Sequence, residues 1–382
     1  MRSLITAIIL VLFFKCQLNG QETLSNDHPF KPGFSYIGDV VTNFSGGIKK
    51  GMRYLGLLNL KIGIKTEGLG LWRGGMLFIN ASNAHGGDPS ADLIGDFHIV
   101  SNIETANITY LHELWYKQRL GSFEFNFGLQ DLNTEFISTE FGSLFINSTF
   151  GTPSTIANNI PSPIFPLTAL GASFKVEFAG DNSLKLALFD GLPTSFTDNP
   201  HNLRWEIKKK EGIFAITEFE SSGDIRGLEG TCRGGIYYHS QLPETGNDLS
   251  VPGRFSYNYG IYIIADQTIL ENSDGEGVLG IFGQLAVSPA KINLHHIYFG
   301  TGMSLTGVIP RRQKDVAGIA FNRTWMSDPQ TGNESVVEMS YRAEISNFLF
   351  LQPDFQYVMN PGGAGHNLRN AFTGLIRAGL IF

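Results

Sequence analysis

Four stretches of the chain alternate apolar and polar residues with a period of two. In 57–67, Leu58, Leu60, Ile62 and Ile64 interleave with Asn59, Lys61, Gly63, Lys65 and Glu67. In 123–130, Phe123, Phe125, Phe127 and Leu129 interleave with Glu124, Asn126, Gly128 and Gln130. In 335–346, Val337, Met339, Tyr341, Ala343 and Ile345 interleave with Val336, Glu338, Ser340, Arg342, Glu344 and Ser346. In 349–358, Leu351, Phe355 and Tyr357 oppose Gln352, Asp354 and Gln356. Successive side chains of a strand point to opposite faces. The pattern therefore predicts strands with one large, aromatic face and one charged face. A soluble sandwich has the same period. A wall with lipid outside and a wet lumen inside accounts better for the size of the apolar side chains.

The final stretch, 371–382, has Phe372, Gly374, Ile376, Ala378, Leu380 and Phe382 on one face, and Thr373, Leu375, Arg377, Gly379 and Ile381 on the other. Soluble domains usually fray at their ends. An apolar strand ending on Phe382 suits a sheet that must close on its first strand, so that no edge is left in lipid.

Counting strands by alternation and turn clusters predicts about 16: 34–45, 53–66, 71–83, 107–119, 123–130, 168–178, 183–191, 212–221, 228–240, 255–267, 276–287, 293–306, 315–327, 334–346, 348–358 and 372–382. The segment 202–209 is left out as the least apolar candidate, and the even total then puts both ends of the barrel wall on one side. Short turns at 67–70, 120–122, 179–182 and 347 fall on that side. Long connections at 84–106, 131–167, 192–211, 241–254 and 359–371 fall on the other; two depart from this sorting, 288–292 being short for the outer side and 307–314 long for the inner one. The longest, 131–167, carries Asp131, Glu135, Glu140 and four prolines. A loop of that length in a compact chain is usually functional or disordered, and here it is expected to fold into the lumen. The fold class is thus all-β: a single transmembrane antiparallel β-barrel of about 16 strands with a long inward-folding loop.

Composition agrees. The 382 residues include 45 Gly and 30 Phe, and charged residues make up 16%, below the roughly 25% of a soluble domain. The net charge of −7 and the lack of a basic arm argue against a nucleic-acid partner. Arg2 followed by the apolar run 4–14 reads as a signal peptide, too short to span a bilayer as a helix. The expected organisation is a signal peptide over 1–20 and a barrel over 21–382. Phe14 and Lys15 before Cys16 do not fit a lipid-attachment pattern. Cleavage leaves Cys232 alone, with no internal disulfide.

The order of several motifs resembles the carbohydrate-selective porin family, OprB-like. They are Glu113-Leu-Trp-Tyr-Lys-Gln-Arg119, Phe127-Gly-Leu-Gln-Asp131, Glu135-Phe136, Phe145-Ile-Asn-Ser-Thr-Phe-Gly-Thr-Pro153, Leu188-Phe-Asp-Gly191, Asn202-Leu-Arg-Trp205, Tyr259-Gly-Ile-Tyr262, Ala265-Asp-Gln267, Gly307-Val-Ile-Pro-Arg-Arg312 and Leu351-Gln-Pro-Asp-Phe-Gln-Tyr357 with Asn360-Pro-Gly-Gly363. The likeness runs from about residue 50 to the C-terminus. It implies passive diffusion of sugars through the outer membrane of a Gram-negative-type bacterium, without cofactor or catalysis, by a monomer or homotrimer. It also implies a channel lined by Glu113, Trp115, Arg119, Asp131, Glu135, Arg204, Trp205, Asp354 and Gln356, and a terminal Phe382 read by the barrel-insertion machinery. Arg311 and Arg312 either line the pore or hold a turn.

The chemistry of these residues suits the implied solute. Aromatic rings stack on the C–H face of a pyranose, while Asp, Glu, Arg and Gln exchange bonds with hydroxyls. Binding has to stay weak for a conduit to conduct. Alternation puts Glu113, Trp115, Lys117 and Arg119 on one face, and the opposite register would put three charges in lipid. Signals for an enzyme are poor. Gly275, Gly277 and Gly280 have dinucleotide-loop spacing, but 281–287 alternates as a strand where a helix is needed. His295 and His296 are adjacent, so a strand sends them to opposite faces. Three readings compete with the sugar channel: a general outer-membrane channel, a membrane-barrel hydrolase and a secreted β-rich carbohydrate-binding protein.

Overall fold

The computed structural model describes residues 29–240, 257–272, 277–307, 309–328, 330–363 and 368–382. The proposed signal peptide lies outside them. Sixteen strands follow in chain order: β1 (Phe30–Gly47), β2 (Gly51–Lys65), β3 (Gly75–Gly86), β4 (Ile108–Leu120), β5 (Phe123–Gln130), β6 (Ala169–Phe178), β7 (Asn182–Asp190), β8 (Ile213–Ile225), β9 (Leu228–His239), β10 (Asn258–Glu271), β11 (Val278–Val287), β12 (His295–Thr306), β13 (Val316–Met326), β14 (Glu334–Ser346), β15 (Leu349–Met359) and β16 (Arg369–Ile381). Each pairs antiparallel with its sequence neighbours, and β16 pairs with β1 to close the barrel. Among the described residues no helix is long and apolar enough to cross a membrane.

The strand count matches the reading by alternation and parity. Segment 202–209 forms no strand; it sits in a loop, where Asn199 Oδ1 accepts from the N–H groups of Leu203 and Arg204 at 3.1 and 3.2 Å. The third strand starts at Gly75, four residues later than expected. A turn holds the preceding residues: Thr66 Oγ1 donates to the carbonyls of Trp72 and Gly75 at 2.6 and 3.1 Å. Trp72 Nε1 donates to Tyr116 Oη at 2.6 Å.

Burial shows which face is which. In β15, Phe350, Gln352, Asp354, Gln356 and Val358 are buried, while Leu351, Phe355 and Tyr357 are exposed. The other strands repeat this, with Leu186, Leu188, Ile261, Ile263, Met339 and Ile376 all exposed on the outside. An apolar outer surface around an interior that buries many polar groups, beside apolar clusters such as Phe189, Phe214, Ile216 and Ile264, departs from the arrangement of a water-soluble protein. The interior is crowded, and glycines make room for its rings. A Cβ on Gly235 would lie 2.1 Å from the Tyr262 ring, and one on Gly260 would lie 2.3 Å from Tyr237 Oη.

At the seam, residues pair from Ser35↔Ile381 to Gly47↔Arg369. Phe34 and Phe382 exchange both backbone bonds, at 3.1 and 2.8 Å. The Phe382 ring stacks on Phe348, with centroids 5.5 Å apart. On the inner face, Arg377 donates through Nε and Nη2 to the two oxygens of Asp39, both at 2.8 Å. Ser101 Oγ donates to Asp39 at 2.7 Å, and Arg377 also reaches Asn102 Oδ1 at 2.8 Å. A bidentate pair of this kind fixes register as well as contributing energy. Replacing Arg377 with Ala leaves Asp39 buried and uncompensated, so we expect a loss of about 3 kcal/mol, read as a lower denaturant midpoint of the purified barrel in detergent. An unchanged midpoint would contradict a role for the pair in closure.

Candidate functional site

The barrel end opposite the chain termini carries the long loops. Two of them, L2 (87–107) and L3 (131–168), turn inward and pack on the inner wall. Their backbone N–H groups have few sheet partners, and buried donors need one. Carboxylates of the wall supply it. Glu218 of β8 accepts from the Ile137 N–H at 2.9 Å. Asp266 of β10 accepts from Glu140 and Phe141, each at 3.1 Å, and from Thr139 Oγ1 at 2.7 Å. Glu338 of β14 accepts from Ile146 and Asn147 at 2.5 and 3.1 Å. Glu334, also of β14, accepts from Phe97 and His98 of L2 at 3.2 and 3.0 Å. Each of these bonds gives a buried donor the partner it would otherwise lack, so a few wall residues hold a long irregular segment.

The predicted residues of β4 do share its inner face. Trp115 Nε1 donates to Glu113 Oε1 at 3.1 Å, and its ring stacks on Phe78 with centroids 4.7 Å apart. Lys117 Nζ lies 2.8 Å from Glu124 and 2.7 Å from Glu135. Asp131 opens L3, accepting from the Asn133 N–H at 2.9 Å and lying 3.4 Å from His112 Nε2. Glu135 also accepts from Ser173 Oγ at 2.8 Å. The fold thus brings Glu113, Trp115, Asp131 and Glu135 to one corner, where L3 leaves the wall. Burial works against ionisation of Glu135, yet the Lys117 ammonium and the hydrogen bonds from Lys117, Ser173 and Asn126 hold its carboxyl below the usual range.

The other predicted residues lie elsewhere. Arg119 pairs with Glu177 at 2.6 Å near the end that carries the termini. Arg204 and Trp205 belong to the loop L4 (191–212); Arg204 is exposed, and Trp205 Nε1 donates to the Asn202 carbonyl at 2.8 Å. Asp354 and Gln356 face inward but are fully covered by the two inward loops. Gln356 Nε2 donates to the Val100 carbonyl of L2 at 2.8 Å, and its Oε1 accepts from Asn147 of L3 at 3.2 Å. Arg312 holds a turn: its Nη2 donates to Asp315 Oδ1 at 3.1 Å and to the Glu344 carbonyl at 3.4 Å.

Three features escaped the sequence reading. The first is that L2 turns inward as well as L3. Its Glu104 accepts from the Ser90 N–H at 3.0 Å, and burial, with the Asp96 carboxylate beside it, pushes the Glu104 carboxyl up to about 8. The second is a bulge at His112: the pairing steps from Asn80↔Glu113 to Ala81↔Leu111, so that His112 and Glu113 are both buried. The third is a band of ion pairs along the wall. Lys185 lies 3.0 Å from Glu218 and 3.2 Å from Glu220; Arg233 lies 2.8 Å from Glu220 and 3.0 Å from Asp266. Alternation shows that such residues face the lumen but not which of them meet.

A family model for the carbohydrate-selective porins of the OprB family matches residues 49–382. The chain belongs to this family. It is 23% identical to Porin B of Pseudomonas aeruginosa, over 94% of this chain and 89% of that protein. Its fold is similar to that of Pseudomonas putida OprB solved at high pH, with a TM-score of 0.85, 21% identity, and 96% and 97% of the two chains covered. The outer-membrane channel DcaP of Acinetobacter baumannii shares the general architecture, with a TM-score of 0.55, 8% identity, and 92% and 97% covered. The protein is an outer-membrane porin for sugars of a Gram-negative-type bacterium. Its family and fold are those of channels, not of enzymes. The end with the termini and the Arg312 turn is periplasmic; L2 and L3 enter from the extracellular side, where L4 also lies.

Replacing Glu338 with Ala leaves the N–H groups of Ile146 and Asn147 without their acceptor, a penalty of about 1–3 kcal/mol per buried group. We expect faster amide exchange at these two residues and larger single-channel conductance as L3 loosens. Unchanged exchange and conductance would show that the carboxylate does not hold the loop.

Proposed function

We propose that sugars cross this porin along the wall formed by β4–β9, past the corner where Lys117 joins Glu124 of β5 to Glu135 of L3. The observation that carries this reading is the partial exposure of that triad: the Lys117, Glu124 and Glu135 side chains keep 23%, 23% and 19% of their surface, in an interior where most polar groups are covered. Each of the three groups is already paired, so a hydroxyl that bonds to one of them competes with a neighbour rather than meeting a bare charge. Such contacts are weak and exchange quickly, as permeation requires. Trp115, beneath Lys117, with the ammonium 5.4 Å from its ring centroid, shapes the corner. Asp354 and Gln356 act on the solute indirectly, through the loops they hold. L3 narrows the lumen, and L4, with Arg204 and Trp205, forms part of the outer mouth.

Lys117→Met removes the cation and leaves two carboxylates facing the lumen. We expect sugar-dependent reduction of the bilayer current to need roughly fivefold more sugar, for the loss of about one hydrogen bond, and the pore to become more cation-selective. If sugar sensitivity and ion selectivity both stayed as in the wild type, the solute path would lie elsewhere. If no sugar affected the current even in the wild type, and liposome swelling matched that of a general porin, the channel would not discriminate sugars.

We also propose that the insertion machinery reads Phe382. Phe382→Ala keeps the backbone bonds to Phe34 and removes only the ring. Outer-membrane levels should fall for this variant and for a chain lacking Phe382, while inserted molecules conduct normally. Normal levels of both would refute the proposal.

A further inference from the structure

By register the outer face of the described strands is made of aliphatic and aromatic residues, glycine and a few neutral polar groups, with one cation and, at the end of β7, one carboxylate. Arg323 of β13 pairs with Phe299 on one side and Ser335 on the other. Its neighbours Asn322 and Thr324 are buried and face inward: Asn322 Nδ2 donates to Thr149 Oγ1 at 2.9 Å, and Thr324 Oγ1 bonds to Ser154 Oγ at 2.7 Å. Alternation therefore turns Arg323 outward. Its guanidinium lies 5.2 Å from the Trp325 ring centroid, on the same outward face. The Arg323 Nε is buried without a hydrogen-bond partner, and no described carboxylate forms an ion pair with this residue.

A lone cation on the lipid face costs about 2–4 kcal/mol at the bilayer midplane and about 0–1 near the interface. Arg323 lies three residues from Met326, the extracellular end of β13, or about 10 Å along the strand. A long side chain from that depth reaches the headgroup level. Arginine on an aromatic face, with its fork of donors free, suits phosphate better than a point charge would.

We propose that Arg323, stacked on Trp325, binds the phosphate of an anionic lipid headgroup in the outer leaflet. A second copy of this chain is a poorer occupant, because by register its described strands offer a single outward carboxylate, Asp190, the last residue of β7, where a lipid headgroup offers phosphate. The site rests on the membrane-barrel reading of the chain and is independent of the sugar path.

Native mass spectrometry of the full-length porin in detergent tests the site, with lipid A, dephosphorylated lipid A and inorganic phosphate as probes. The wild type should retain lipid A, Arg323→Gln should retain it about fivefold less, and Arg323→Lys should recover part of the loss. Normal conductance of Arg323→Gln would show that the barrel itself is intact. Equal retention of lipid A by wild type and Arg323→Gln would overturn the proposal. So would equal binding of the dephosphorylated lipid, displacement of lipid A by millimolar inorganic phosphate, or a change of oligomeric state with no change in lipid retention.

Discussion

Everything in this molecule depends on the backbone hydrogen bonds between β1 and β16. In lipid an unpaired N–H or C=O has no water to turn to, so a spanning sheet must have no edge. Closure makes the last strand meet the first, which draws Phe34 and Phe382 together, brings Arg377 against Asp39, and sets both ends of the wall on the periplasmic side. Once the ring is closed, every strand has one face in lipid and one in the lumen. The division of apolar and charged residues follows from that geometry.

Closure also creates the second requirement. A ring of this size encloses more space than its own side chains fill, and the loops that enter it bring backbone groups that need partners. The wall answers with carboxylates at different depths. Glu218 and Asp266 take the first half of L3, Glu338 takes its middle, and Glu334 takes L2. Two of these acids, Glu218 and Asp266, also belong to the ion-pair band with Lys185 and Arg233. These two acids therefore keep the lumen polar and hold L3 at once, and the solute path is what the loops leave open. The acids most exposed to solute and those most buried do different work, as the contrast between Glu135 and Glu338 shows.

Much of the fold was legible along the chain. Period-two alternation in stretches such as 123–130 needs only nearest neighbours, and an even strand count follows from having both ends on one side. Strand ends were less legible. The start of β3 depends on Thr66 and Trp72 capping a turn, which no hydrophobic pattern records. The candidate site was legible one strand at a time. Glu113, Trp115, Lys117 and Arg119 could be placed on a common face, but the bulge at His112 could not, since an extra residue leaves no trace in composition.

By itself the sequence determined the repeat of strands, the faces they turn to lipid and water, and the family to which the porin belongs. These rest on interactions between residues a few positions apart, or on the order of motifs. Tertiary structure alone decided that L2 enters the lumen with L3, that Asp354 and Gln356 lie beneath loops rather than in the open, and that Lys117 bridges Glu124 to Glu135. Those outcomes depend on side chains far apart in the chain, such as Glu338 beneath Ile146, and only the closed ring sets the distance between them.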